Sequence, residues 1–514
     1  MHAQRVSGGP GIVYLVGSGP GDLQLLTLRA NRVLVDAEVV VYDFLANERL
    51  LDLAPSAEKI CVGKRGGNHT YTQNEINALL IAKVREGRRV VRLKGGDPFL
   101  FGRGGEEGEA LWKAGLPFEV VPGITSALAV PAYAGIPVTE RHHSASLAIV
   151  TGHEHPGKAE SNINFQALAG MGTVVFLMGM KTLGQNMVRL QEAGVPGDRP
   201  AAAIQWGTRH EQRTVTATVE TLAADVAAAR LGPPGIVIVG EVVRMRKSLN
   251  WFEGRPWFGK RIVVTRSREA NTAFLDALEH RGAEAIAVPT IAFEDPVDFS
   301  SMDTAIARLD GYEWLVFTSV NGVDRFWARL RHHGKDARAL AASRIAAVGP
   351  ATAKALEQKG LVPDLIPDAF RAEELARAMS GELSGRHVLL VRAEQGREVF
   401  REAAAAEGAI VDLAIAYRTV PATRPPALPS LLREGKAPDL IVFASPSAVK
   451  AFSAMLTEDE QTALVDAAAA CIGPVTAEAA REAGFRIAVL PVESTVGGLM
   501  EAMDQFFQED SPCS

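Results

Sequence analysis

The sequence predicts an α/β protein of four lobes arranged as two pairs. Short apolar runs end repeatedly in glycines or small polar residues just ahead of a helical pattern, the order in which α/β sheets are built. From Lys260 onward, three blocks recur in the same order at near-constant spacing, so the second half is a duplication of one α/β lobe. The 514 residues also suit three to four domains at about 150 residues each.

Ile12 to Val16 is the first apolar strand. It runs into Gly17-Ser18-Gly19-Pro20-Gly21-Asp22, ahead of a helix expected near Leu25. A dinucleotide fingerprint would need glycine where Asp22 stands, and Pro20 lacks an amide that a pyrophosphate would use. The loop suits a ligand with an adenosine and no phosphate. Val90, Val91 and Leu93 form the next strand, followed by KGGDPFLFGRGGEEGE from Lys94 to Glu109. Glycine lets backbone approach a ligand closely and permits positive φ. Asp97-Pro98 fixes the turn, and Glu106 and Glu107 fall in the first turn of a helix, where exposed amides favour carboxylates. Val120 to Ala127, Val174 to Met180 and Ala201 to Thr208 repeat the pattern, giving a cleft short walls and hydroxyl groups. Taken singly, Asp43 is a turn or cap residue, Lys64 a solvated loop charge and Met178 core filling.

These five segments, with Tyr42-Asp43, Val62-Gly63-Lys64-Arg65 and Leu249-Asn250-Trp251-Phe252, resemble the uroporphyrinogen-III C-methyltransferases of the tetrapyrrole methylase family from Gly11 to Glu253. The resemblance implies two α/β lobes over residues 11–253, breaking near 130–145. It implies S-adenosyl-L-methionine in the cleft, two methyl transfers to uroporphyrinogen III giving precorrin-2, no metal, and a homodimer formed through this half. On the family's motif, Asp43 is the proton acceptor and Lys64 the proton donor. Cofactor contacts carry over to Pro20, Gly95, Gly96, Asp97, Leu100, Thr125, Ser126, Met178 and Gly207; at Leu100 the contact would be through backbone.

In the second half, Arg261 to Arg266 aligns with His387 to Arg392 and Phe317 to Phe326 with Phe443 to Phe452, each 126 residues on; Val348 to Leu356 aligns with Ile472 to Ala480, 124 residues on. Each block sets a strand before serines, threonines or glycine at a helix start, where amides and hydroxyls can meet anions. This half, from Phe258 to Met503, resembles the uroporphyrinogen-III synthases through FTS-x-NGV, both Gly-Pro-x-Thr blocks and Ala416-Tyr417-Arg418-Thr419-Val420. The resemblance implies two flavodoxin-like lobes, one of residues 258–290 with 421–503, the other of residues 294–417 inserted into it. Pro289 to Phe293 and Tyr417 to Pro421 would be the connectors. It also implies closure of hydroxymethylbilane with inversion of the last pyrrole. Tyr417 would assist departure of the hydroxyl as a weak acid, or else is a half-buried strand tyrosine. Thr318, Ser319, Thr352, Ser445, Ser447 and Thr476 would bind substrate carboxylates or ring edges. Arg266 and Arg392 read as strand-end charges with a carboxylate partner.

A net charge of −6 argues against nucleic acid as a partner. It leaves polyacidic tetrapyrroles open, because Lys64, Arg65, Lys94 and Arg103 gather in the first site's segments. Three cysteines, Cys61, Cys471 and Cys513, without C-x-x-C spacing suit a reducing cytoplasm. Pro122 to Val138 lack charge but are broken by three prolines and two glycines, so no membrane helix is expected. Met1 to Pro10 has no signal-peptide character. His142-His143 and His153-Glu154-His155 lack i, i+4 spacing and a nearby cysteine, so they read as loop residues at the cleft mouth and not as a metal site; His332-His333 reads as surface. Met245 to Lys260 is a short, semi-rigid link, Pro421 to Pro438 a proline-rich passage between lobes, and Gln508 to Ser514 a frayed end. The alternatives are a methylase of a later corrin intermediate and a second half that binds tetrapyrrole without catalysis.

Overall fold

The computed structural model describes residues 11–63, 71–152, 162–266, 271–367, 372–396, 398–424, 428, 437–464 and 467–509. The chain forms two compact units, one of Met1–Lys260 with Ala277–Glu284, the other of Arg261–Asp276 with Ala285–Ser514.

The first unit holds two five-stranded sheets. In the first, β1 (Ile12–Gly17), β2 (Val39–Tyr42), β3 (Glu58–Cys61), β4 (Arg89–Lys94) and β5 (Phe118–Val121) lie in the order β3-β2-β4-β1-β5, every pair parallel. Val13, Leu15, Val39, Val41 and Val90 fill the core on one face, and Val16, Val40, Val91 and Leu93 on the other. That two-sided burial is why these strands read as continuous β-branched runs. Register aligns Gly17 with Lys94 and Val16 with Val121, so the loops after β1, β4 and β5 leave one edge side by side. In the second sheet, β6 (Leu147–Thr151), β7 (Thr173–Leu177), β8 (Pro200–Gln205), β9 (Arg213–Thr218) and β10 (Gly235–Val239) take the order β6-β7-β10-β8-β9. Since β10 is antiparallel to both β7 and β8, those two strands end on the same edge.

Two expectations in this unit are corrected. The helix foreseen near Leu25 is a 3-10 turn, Leu23–Leu25; extended backbone at Leu26 separates it from the α-helix Leu28–Val35, capped by the Thr27 side chain. Met245 to Lys260, read as a short semi-rigid link, belongs to the packed body of the first unit. It includes the helix Arg246–Leu249, its Phe252 is 7% and its Trp257 1% exposed, and Tyr133 packs edge-on against Trp251 and Phe252 at 5.0 and 4.7 Å.

The second unit holds β11 (Arg261–Val264), β12 (Glu284–Ala287), β13 (Ile291–Glu294), β14 (Trp314–Phe317), β15 (Arg344–Ala347), β16 (His387–Ala393), β17 (Ile410–Pro421), β18 (Leu440–Phe443), β19 (Ala468–Cys471) and β20 (Arg486–Val489). They form sheets β12-β11-β18-β19-β20 and β13-β17-β16-β14-β15. The first is the 2-1-3-4-5 order of a flavodoxin-like sheet. The second has the same order, entered at a different strand, with Leu365 bridging parallel to Ala346 beyond β15. Consequently the sequence repeat is not the spatial lobe: each sheet draws its first two strands from one repeat and the remainder from the other. The segments read as connectors pair antiparallel, Ile291 with Pro421 through Glu294 with Arg418. Within Pro421 to Pro438, Leu428 is 1% exposed and packs in the core beside Val263 and Ile441, so that stretch is more than a passage. Among the described residues, no helix is long and apolar enough to cross a membrane.

Candidate functional site

Three loops meet backbone to backbone at the carboxyl edge of the first sheet. Ser18 N donates to Lys94 O at 2.7 Å, while Gly19 and Gly96 exchange N–H···O bonds of 3.2 and 2.8 Å. A Cβ on Gly17 would lie 2.5 Å from the Gly96 oxygen, and one on Gly123 2.2 Å from the same atom. Glycine is needed at both for the loops to touch. Asp97 fastens this contact: Oδ2 accepts from Gly123 N at 3.1 Å, and Oδ1 from Phe99 N and Leu100 N at 2.8 and 3.1 Å. Leu100 therefore has its amide committed inside the loop. Pro20, Gly95, Gly96, Asp97, Thr125 and Ser126 all fall on these loops; Thr125 caps the helix Ser126–Tyr133 by accepting from Ala127 N.

Met178 and Gly207 follow β7 and β8 at the matching edge of the second sheet. Met178, which taken singly reads as core filling and by the resemblance as a cofactor contact, is 52% exposed with φ 57°. Among the described residues, six non-glycines have positive φ, and Phe101, Arg103, Met178, Trp206 and Thr208 are five of them. Strain of this sort, of order 1–3 kcal/mol per residue, gathers at ligand sites. A Cβ on Gly207 would stand 2.3 Å from Val130 Cγ1, and Val130 packs with Ala127, Val175 and Ile204. The helix that starts at Thr125 thus reaches into the second sheet's core. A latch closes the same gap. Asp22 Oδ2 accepts from the Tyr133 hydroxyl at 2.8 Å, and Asp22 N donates to Thr208 Oγ1 at 3.1 Å. Burial, then the bond to Asp22, holds the Tyr133 hydroxyl well above its ordinary range. Thr208 N donates to Gln212 Oε1 at 2.8 Å, Gln212 donates to Glu253 at 2.7 Å, and Arg246 donates to Glu253 at 2.6 Å. Asp22, which broke the dinucleotide fingerprint, is the residue that ties the loop down.

Beneath the end of β2 lies a charged network that the sequence did not single out. Arg92 Nη2 donates to both oxygens of Asp43, at 2.8 and 3.0 Å, while Arg92 Nε donates to Glu107 Oε1 at 3.1 Å. Lys94 Nζ donates to the same Glu107 oxygen at 2.9 Å. Arg92 and Glu107 are 2% and 0% exposed. Two expectations fall here. Lys94 does not lend its charge to the cleft but turns inward to Glu107, and burial, then the neighbouring Arg92, pulls its ammonium below the ordinary range. Arg103 is paired with Glu106 at 2.9 and 2.8 Å, so both carboxylates of that first helical turn answer side chains and not only the helix amides. Lys64 and Arg65 lie outside the described residues, as do His153-Glu154-His155; His143 Nδ1 stands 2.7 Å from Glu140. The sequence reading also missed an apolar rim. Phe44, Leu45, Phe99, Phe101, Ile124 and Leu128 are 37–57% exposed on or beside the strand-end loops, a surface suited to the flat face of a large ligand.

In the second unit, Tyr417 is 7% exposed, with its ring edge-on to Phe293 at 5.4 Å and its hydroxyl 3.0 Å from Ser319 Oγ. The structure thus joins two residues named separately from the sequence. Ser319 and Ser445 hold matching places, capping Val320–His332 and Pro446–Met455 at φ −162° and −164°. Ser445 Oγ lies 2.9 Å from Ser447 Oγ, and Thr318 Oγ1 donates to Val391 O at 3.2 Å. Thr352 and Thr476, expected to bind substrate carboxylates or ring edges, are each 4% exposed in the first turns of Pro350–Glu357 and Pro474–Glu482. Close packing of those turns on the sheets leaves their side chains little surface to offer. Arg392 pairs with Glu398 at 2.5 Å, and Arg266 is exposed at its strand end.

The chain matches the model for tetrapyrrole (corrin/porphyrin) methylases over residues 12–223 and that for uroporphyrinogen-III synthase HemD over residues 272–501. It is 38% identical over 505 residues to the porphyrin biosynthesis protein HemD of Ruminiclostridium josui, covering 96% of this chain and 97% of that one. It is 52% identical over 246 residues to the S-adenosyl-L-methionine-dependent uroporphyrinogen III methyltransferase of Methanosarcina barkeri, covering 48% of this chain and 96% of that one. Among solved structures, uroporphyrin-III C-methyltransferase from Thermus thermophilus, complexed with S-adenosyl homocysteine, is 41% identical at a TM-score of 0.40, covering 46% of this chain and 99% of that one.

Proposed function

The chain belongs to the tetrapyrrole methylases in its first half and to the uroporphyrinogen-III synthases in its second, and on that membership we propose that it closes hydroxymethylbilane to uroporphyrinogen III and then methylates that product twice at carbon, giving precorrin-2. It is a bifunctional enzyme of tetrapyrrole biosynthesis, and S-adenosyl-L-methionine is the methyl donor of its first half. The observation that carries the proposal is the likeness to one relative along nearly the whole of both chains.

The first site fits the donor. Its walls are backbone brought close by glycine and proline; Ser18, Gly19, Gly96 and Gly123 spend their amides within the loops, and Pro20 has none to give a pyrophosphate. When bound, the donor supplies an electrophilic methyl group on a sulfonium. The protein's own share is to hold an electron-rich pyrrole carbon in line and to manage protons. Pro20, Gly95, Gly96, Asp97, Leu100, Thr125, Ser126, Met178 and Gly207 bind and orient the donor, and the apolar rim takes the macrocycle face. Positioning of that kind is worth roughly 7–11 kcal/mol of a barrier. Asp43, gripped through both oxygens by Arg92, accepts the proton released from the substrate, and Lys64 returns one.

In the second half, loss of water from the bilane's hydroxymethyl carbon leaves a cation-like pyrrole, so no protein nucleophile is needed. The protein holds the chain so that the inverting attack outruns simple closure. Tyr417, oriented by Ser319, helps the hydroxyl leave as a weak acid. Thr318, Ser319, Thr352, Ser445, Ser447 and Thr476 bind the substrate at the strand ends, Thr352 and Thr476 through the amides of their helix starts. Dimerisation through the first half belongs to the same reading. Sedimentation that gives a monomer of 54.8 kDa would remove it.

Hydroxymethylbilane and methyl-labelled donor, given to the intact chain, should yield the III-series macrocycle carrying two labels. Product of the I series only, or one without label, overturns the corresponding half of the proposal.

A further inference from the structure

Glu107 takes no part in the chemistry above, yet its side chain is 0% exposed and sits between two cations. Oε1 alone accepts from Arg92 Nε at 3.1 Å, Lys94 Nζ at 2.9 Å and Gln73 Nε2 at 3.2 Å. Among the described residues, Oε2 has no hydrogen-bond partner. Stripping water from each such ion costs several kcal/mol, and apolar side chains of similar volume often fill the space equally well. The neighbours Val90, Val91 and Leu93 are all 0% exposed, so the strand could have been apolar throughout. Stability is therefore a poor account of why these charges are there.

Position is a better one. Arg92 is held on every edge of its guanidinium: Nε by Glu107, Nη1 by the carbonyls of Val41 and Leu93 at 3.4 and 3.5 Å, and Nη2 by Asp43. A planar fork fixed on one side presents its other side at a set angle. The side it presents is the one that takes both Asp43 oxygens, and Asp43 is the member of the network with exposed surface, its side chain being 31% open.

We infer that Glu107 is a positioning residue for methyl transfer: it fixes the plane of Arg92, and through Arg92 the direction of the Asp43 carboxylate. Lys94, donating to the same Glu107 oxygen, adds the second cation of the buried cluster opposite the two carboxylates. The inference rests on the reading of Asp43 as proton acceptor.

The test uses the intact chain, uroporphyrinogen III and methyl-labelled S-adenosyl-L-methionine, with Glu107→Gln, Asp43→Asn and the double variant. Glu107→Gln should lower kcat by about ten- to a hundredfold, the scale of a small misplacement, and leave KM for the donor unchanged. In single-turnover measurements on Asp43→Asn, adding Glu107→Gln should cause no further loss, because the group it positions is already gone. Should Glu107→Gln fail to fold, Arg92→Lys keeps the buried cation but cannot grip both oxygens, and it should show the same fall in kcat at unchanged KM. Wild-type kcat in the folded variant, while Asp43→Asn is slowed, overturns this inference alone. Losses that multiply in the double variant overturn it as well. Wild-type kcat in Asp43→Asn overturns the proton-acceptor reading and takes this inference with it.

Discussion

A methyl group on Gly123 would stand 2.2 Å from the Gly96 carbonyl oxygen, with the Gly17 Cα only 2.7 Å away. Backbone cannot yield as a long side chain would, so Gly123→Ala should lower stability by about 1–3 kcal/mol, as overpacking does, and weaken donor binding with it. Urea unfolding and calorimetry with S-adenosylhomocysteine measure the two effects. Tyr133→Phe removes one hydrogen bond from the latch on Asp22 while keeping the ring against Trp251 and Phe252. The expected loss is about 1 kcal/mol, read as a rise in KM for the donor at unchanged kcat. The glycines and Asp97 were legible in the sequence because a missing side chain, or an Asp-Pro turn, carries its meaning locally. Arg92 and Glu107 were not, although Arg92 stands conspicuously between Val91 and Leu93. Their sense depends on three elements converging, and no window of sequence contains all three. Met178, taken alone, reads as core for a related reason: an apolar identity says nothing about a left-handed backbone, and only the family resemblance placed it among the cofactor contacts.

Helix pairing in the second unit has its own acid dependence. Asp303, on Ser300–Ala307, accepts from Arg329 Nε and Nη2 at 2.6 Å each and stands 2.8 Å from His333 Nε2, both partners closing the helix Val320–His332. Arg329 above all, then His333, holds the Asp303 carboxyl down to about 2. The unfolded value is about 3.9, so this contribution to stability is whole above that pH and is lost as pH falls through the folded value. The gap in urea midpoint between wild type and Asp303→Asn, open at pH 5, should close by pH 2. A gap that stays constant with pH would mean that the pair contributes nothing electrostatic. Strands and the helices behind glycine-rich loops could be read from periodicity. The packing at the end of the first unit could not: Leu249 to Phe252 carried the family resemblance, but nothing local shows that Tyr133, from a helix more than a hundred positions earlier, packs on Trp251 and Phe252.

At the scale of the whole molecule, spacing alone revealed the duplication, while the expectation of one lobe inserted into the other came only from the family resemblance. Spacing of 126 residues marks a repeat, and a repeat is naturally read as one lobe. The sheets are cut differently, since β11 pairs with β18 and β14 with β16. A fragment of residues 291–421 contains every strand of the β13-β17-β16-β14-β15 sheet and should unfold cooperatively in urea. A fragment of residues 261–386, one full repeat, holds portions of both sheets and completes neither, so its circular dichroism should show no sharp transition. Equal behaviour of the two fragments would count against the sheets being independent cores.

The crossed strand assignment has a historical reading. Two identical chains that traded their carboxyl-terminal portions and were later spliced end to end would leave this pattern: first two strands in one sheet, the next five contributions in the other, the last three back in the first. What now passes for an insertion would then be the scar of an exchange between equal partners, preserved because neither partner can any longer take its strands back.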